Sequence, residues 1–178
     1  NQFEGLSACP TNGNVAYTAA NTTGTPLLRS TMLCNSTANV FNSSTLNATA
    51  TVSATSYLEF AVAATTGYKL NLKSVSFIRQ ASNSAPNQLE VRYSTDGFAT
   101  STSWGAAPLS PTIGSIATWD FSDFTTALAG TVTFRIYPYG TQRADLAGAS
   151  VASGTFRIDD LTVDGNLVQL ISWDGTSW

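Results

Sequence analysis

Histidine is missing from all 178 residues, and its absence bounds the available chemistry. Hydrolytic triads built on an imidazole, proton transfer by histidine near neutral pH and the commonest zinc ligand sets are excluded. Carboxylates are the acid–base groups that remain. A glycosidase needs two of them facing each other across a cleft. Glu59 and Glu90 could take those places, but arginines alternate beside them, and a salt-bridged ladder on a strand surface is the ordinary reading. Asp159 and Asp160 are adjacent, so a strand turns them to opposite faces. Asp120 and Asp123 flank a turn, where capping is the usual role. The expectation is a chain without catalytic machinery.

Sugar recognition needs less. Aromatic faces stack on the apolar side of a sugar ring, and planar polar groups take its hydroxyls in pairs. Arg92, Arg135, Tyr137, Tyr139, Arg157 and Glu90 supply such groups, and strand alternation assigns them to outward positions. Trp104 sits in a Ser/Thr/Gly/Pro-rich stretch, Ala99–Pro111, that reads as a loop carrying an exposed indole. The competing reading has the charges neutralising one another and Trp104 folding back over the sandwich end. Trp119 and Trp173 read as core or interdomain packing.

These residues must be placed by strands, because no helical period of useful length is present beyond a turn or short helix at Phe121–Leu128. Short alternating runs bounded by Gly, Asn, Ser, Pro and Asp predict strands at Tyr57–Ala63, Ser74–Gln80, Gln88–Ser94, Thr131–Tyr139 and Gly154–Val163. Weaker runs occur at Val15–Tyr17, Thr49–Ser53, Ile116–Asp120 and Asn166–Ile171. Inward sets follow from the period of two: Leu58, Phe60 and Val62; Leu89, Val91 and Tyr93; Val132, Phe134 and Ile136; Phe156 and Ile158. Outward, Glu59, Glu90, Arg92, Arg135 and Arg157 form a mixed-charge ladder. Thr95-Asp96-Gly97 is the strongest hairpin signal. Asn35–Thr55 reads as a long connection or an edge strand. Strands spaced this way predict an all-β, antiparallel two-sheet sandwich of jelly-roll type.

Only 11% of residues are charged and the net charge is −3, so no basic stripe exists to neutralise phosphates or anionic lipid. Nucleic acid is excluded as a partner, and no apolar run approaches the roughly 18 residues of a membrane helix. The Ser/Thr/Asn-rich composition is that of extracellular β proteins. In an oxidising compartment Cys9 and Cys34 would close a disulfide, worth roughly 3–4 kcal/mol in the chain-entropy model. The Asn-x-Ser/Thr triplets at Asn21, Asn35, Asn42 and Asn47 arise easily in such a composition and are discounted. The chain reads as a processed or excised segment: one domain over 1–170, with 171–178 opening a linker or following segment.

The order YLEFAVAATTGYKLNLKSVSF, LEVRYSTDGFAT, ATWDFSDFTTALAGTVTFRIYPYG and SGTFRIDDLTVDG resembles a domain of secreted bacterial proteins. It is similar to β-sandwich modules of Bacteroidetes proteins exported by the type IX route, and of sorting-tail surface proteins in Verrucomicrobia and Planctomycetes. The similarity runs from Asn39 to Val168, and the pair YSTDGF and FRIDDLTVDG carries most of it. It implies an extracellular or cell-surface jelly roll, distantly similar to carbohydrate-binding modules, with no catalytic residues to transfer. Jelly-roll binding modules often hold a structural calcium where first and last strands meet; Glu4 and Asp160 stand at comparable positions. The alternative makes Glu4 a frayed terminal residue and Asp160 a turn acceptor. The functional expectation is a module that recognises a polysaccharide or surface glycan for adhesion or substrate targeting. Its rival is a spacer or filament building block that packs on neighbouring domains or subunits through edge strands.

Overall fold

The computed structural model describes residues 9–13, 18–112, 115–120 and 128–171. Eleven strands and no helix occur among them: β1 Thr22–Gly24, β2 Leu28–Arg29, β3 Leu33–Cys34, β4 Phe41–Ser44, β5 Leu58–Ala64, β6 Tyr68–Ala81, β7 Pro86–Ser94, β8 Thr102–Pro108, β9 Ser115–Asp120, β10 Thr131–Arg143 and β11 Phe156–Gln169. One sheet runs β1-β5-β10-β7-β8, with β2 also paired to β5; the other runs β3-β4-β11-β6-β9. All these strand pairs are antiparallel.

The wiring is that of a jelly roll. From β4 onward successive strands cross between the sheets, giving β4-β11-β6-β9 opposite β5-β10-β7-β8. Among these strands the β7–β8 step alone stays within one sheet, the two forming a hairpin over the predicted Asp-Gly turn.

The period of two sets the core. Leu58, Phe60, Leu89, Val91, Val132, Phe134 and Ile136 from the first sheet meet Phe41, Val75, Phe77, Phe156 and Ile158 from the second, all essentially inaccessible. Burying each such side chain contributes about 1.5–3 kcal/mol. Phe60 and Phe134, cross-strand partners, stack with centroids 5.0 Å apart.

The weaker expectations divide. Ile116–Asp120 is β9, and Asn166 extends β11 as far as Gln169. Thr49–Ser53 is not a strand. Instead it runs alongside the end of β10, where Asn47 bridges to Tyr139 and Gly140 N–H donates to Thr49 O at 2.9 Å. Asn35–Thr55 is neither a plain connection nor an edge, because it contains β4, buried between β3 and β11. Val15–Tyr17, Phe121–Ala127 and 172–178 lie outside the described residues.

The N-terminal part is tied down twice. Cys9 and Cys34 form the expected disulfide, Cα atoms 5.7 Å apart. Arg29 donates from Nη1 to Pro10 O at 2.6 Å, from Nη2 to Asn42 O and from Nε to Ser43 Oγ, both at 2.9 Å, and lies 3.6 Å over the Phe41 ring. With neutral acceptors only among these bonds, burial lowers its pKa to about 10.

Candidate functional site

The outer face of the first sheet collects most of the predicted recognition residues. Cross-strand register places Glu59 of β5, Arg135 of β10 and Arg92 of β7 in one row, and Tyr137 opposite Glu90 in the next. Arg135 Nε donates to Glu59 Oε2 and Arg92 Nε to Glu90 Oε1, each at 2.7 Å. The ladder is therefore real for four of its five members.

Aromatic rings complete it. The Arg135 guanidinium lies between two of them, 4.0 Å from the Tyr57 centroid and 3.9 Å from Phe98. Tyr57 and Tyr137 meet at 5.6 Å, and Arg92 stands 5.8 Å from the Tyr137 ring. Burial works against the Arg135 charge, but its bonds to Glu59 and Tyr137 hold its pKa above the usual value. Burial raises the Tyr137 and Tyr139 hydroxyls, which stay neutral donors at physiological pH.

The β7–β8 turn explains Phe98. Ser94 Oγ accepts from the N–H groups of Asp96 (3.2 Å) and Phe98 (2.9 Å) and donates to Asp96 Oδ1 (2.6 Å). Thr100 closes the turn through its N–H and hydroxyl on the Asp96 carboxylate. Phe98 is thereby held at φ 67°, a conformation that bulky residues adopt only at a cost.

A hollow of about 290 Å³ opens on this face, floored by Arg92, Arg135 and Tyr137 and walled by Phe98, Ser101 and the Val52–Ala54 segment. Glu90 and Tyr139 share the face as flanking groups, outside the hollow's lining. A larger hollow, about 880 Å³, opens between β1, β5 and β11, with an apolar floor and a rim of threonines, Asp160, Asp164 and Asn166. It brings neither a cation nor a pair of aromatic rings together, whereas the smaller one joins two guanidiniums to the rings of Phe98 and Tyr137.

Two predicted ligand residues are elsewhere. Arg157 belongs to β11 in the second sheet, where Nη1 donates to Gln80 Oε1 at 3.2 Å. Its alternation was right, but it faces outward from the opposite side of the sandwich. Trp104 is not an exposed loop residue. It lies in β8, half-buried against the core, with centroids 6.0 Å from Phe134 and 6.1 Å from Tyr93. A bulge in the β7–β8 ladder, between the Val91–Gly105 and Arg92–Ser103 pairs, supplies Trp104 as the extra residue.

Of the predicted calcium pair, Glu4 lies outside the described residues. Asp160 is exposed on β11 with φ 49°, and its N–H donates to Asp159 Oδ1 at 2.9 Å. Among the described residues no three His, Cys, Asp or Glu side chains converge as a metal site would require.

Tyr57 and Phe98, the two rings that enclose the Arg135 guanidinium, are not among the recognition residues predicted from the sequence. Tyr57 stands two residues before Glu59, on the same side by the period of two, and Phe98 directly follows the hairpin signal.

No protein-family model matches the sequence, and no curated protein matches it. Similar solved structures include a family 29 carbohydrate-binding module, 9% identical with a TM-score of 0.42, covering 87% of this chain and 85% of that one. A mutant of such a module complexed with mannohexaose is 11% identical (TM-score 0.43; 87% and 88% covered). Another mutant, complexed with cellulohexaose, is 10% identical (TM-score 0.43; 87% and 87% covered).

Proposed function

We propose that this domain is a non-catalytic, extracellular glycan-binding module, serving adhesion or substrate targeting in a larger protein. One observation carries the reading: Arg92, Arg135 and Tyr137 converge on a hollow whose wall is an aromatic ring held in a costly backbone conformation. Guanidinium forks match paired sugar hydroxyls, Tyr137, buried beneath them, backs Arg135, and Phe98 supplies an apolar side. Catalysis has no support here, since Glu59 and Glu90 each accept from an arginine instead of facing one another across a cleft.

A glycan array with the intact chain, repeated with Arg92→Ala and with chelator, tests this. Binding to a defined set of glycans, reduced at least tenfold by Arg92→Ala, is the expected result. Loss in chelator would add a structural calcium involving Glu4 and Asp160. The pairing of Arg92, Arg135 and Arg143 with Glu90, Glu59 and Asp145 also suits a second reading, a stalk or filament building block whose surface charges are merely neutralised. That reading expects a silent array together with self-association in sedimentation.

A further inference from the structure

Arg92 and Arg135 are directly opposite each other on neighbouring strands, a placement that destabilises a sheet when both residues carry the same charge. Their carboxylate partners do not relieve it from between them. Glu59 lies on β5, on the far side of Arg135 from Arg92, and Glu90 lies two residues along β7 from Arg92. The hollow they share is lined by Ser53, Ser101, Tyr137 and Phe98 and by no carboxylate. Two of the eight cationic residues in a chain of net charge −3 thus line one hollow that holds no carboxylate, each paired with its own glutamate outside that lining. Both guanidiniums are anchored through Nε, which leaves the terminal nitrogens of Arg92 outside its ion pair. Both side chains remain partly accessible, at 32% and 19%.

We infer that the hollow between Arg92 and Arg135 seats an anionic group on a sugar chain, a uronic acid carboxylate or a sulfate ester, so that the module selects acidic over neutral polysaccharide. A planar fork fixed by its own carboxylate matches an oxyanion with little rotamer freedom left to lose. The inference rests on the glycan-binding reading, and its test separates the two.

Calorimetric titration of the intact chain would use three probes: oligogalacturonate, the same oligosaccharide with its carboxyl groups reduced to alcohols, and a sulfated galactan oligosaccharide. The expected result is at least tenfold tighter binding of an acidic probe than of the reduced one, weakening as salt rises from about 0.01 M to 0.15 M. Whichever acidic probe binds tighter identifies the group. Arg92→Gln should erase the preference, and Arg92→Lys should restore part of it, with circular dichroism confirming that both variants fold. Equal, salt-independent binding of reduced and acidic probes would overturn the inference and leave the glycan-binding reading standing. Binding of neither by this protein, alongside a silent array, would overturn both.

Discussion

At Phe98, local backbone cost and site geometry come from the same few bonds. Its φ of 67° is held by the Ser94 hydroxyl, and its ring covers Arg135 at 3.9 Å. Phe98→Gly removes a strain of order 1 kcal/mol and a cation–π contact of about 0.5–1 kcal/mol, so the two terms nearly cancel. We expect a melting temperature within about 3 °C of the parent, while affinity for the array ligand falls several-fold. A large fall in melting temperature would mean that the ring is structural. The same turn gives a pH signature. Hydrogen bonds from the Ser94 and Thr100 side chains, and then from the Thr100 N–H, bring the Asp96 carboxyl down from 3.8 to about 2. Because the folded value is the lower one, its stabilising contribution is complete above 3.8 and is lost as pH falls from 3.8 towards 2. Urea unfolding at stepped pH should show stability declining through that window, less steeply in Asp96→Asn; superimposable profiles would contradict it.

At the scale of elements, β8 shows why parts of the site were legible in the sequence and others were not. The alternating runs of β5, β7 and β10 declare both faces, so Arg92, Arg135 and Tyr137 could be grouped from the period alone. Alternation says which face of a strand a residue takes but not which sheet the strand joins, and Arg157 was misgrouped for that reason. Ser, Thr, Gly and Pro around Trp104 look like loop because β8 is an edge strand with little apolar content. The bulge that turns its indole inward leaves no periodic trace. Jelly-roll wiring was legible only as a class, since strand order is decided by long-range packing. Trp104→Ala tests the corrected placement. Removing a half-buried indole from Phe134 and Tyr93 should cost about 2 kcal/mol, read in urea unfolding, with the specificity of the folded protein unchanged. Loss of glycan binding without loss of stability would put Trp104 back in the site.

For the whole molecule, the core leaves the N-terminal part attached by few strands. β3 spans only Leu33–Cys34 and pairs only with β4, while β2 spans Leu28–Arg29 on β5. Cross-links do what pairing does not: the Cys9–Cys34 disulfide joins residues 25 apart in sequence, and Arg29 holds the Pro10 carbonyl. Closing a loop of that size in the unfolded chain is worth about 3–4 kcal/mol in the entropy model. For a chain of this length each kcal/mol moves the melting temperature by about 2–4 °C. Scanning calorimetry of Cys9→Ser/Cys34→Ser should therefore show a fall of about 10 °C, matched by the parent protein in reductant. A fall below about 2 °C would mean that Arg29 and the strand pairs suffice. The full shift would make folding sensitive to redox state, so that the domain reaches full stability only in an oxidising compartment. That is where a module exposing a sugar-binding face would meet polysaccharide.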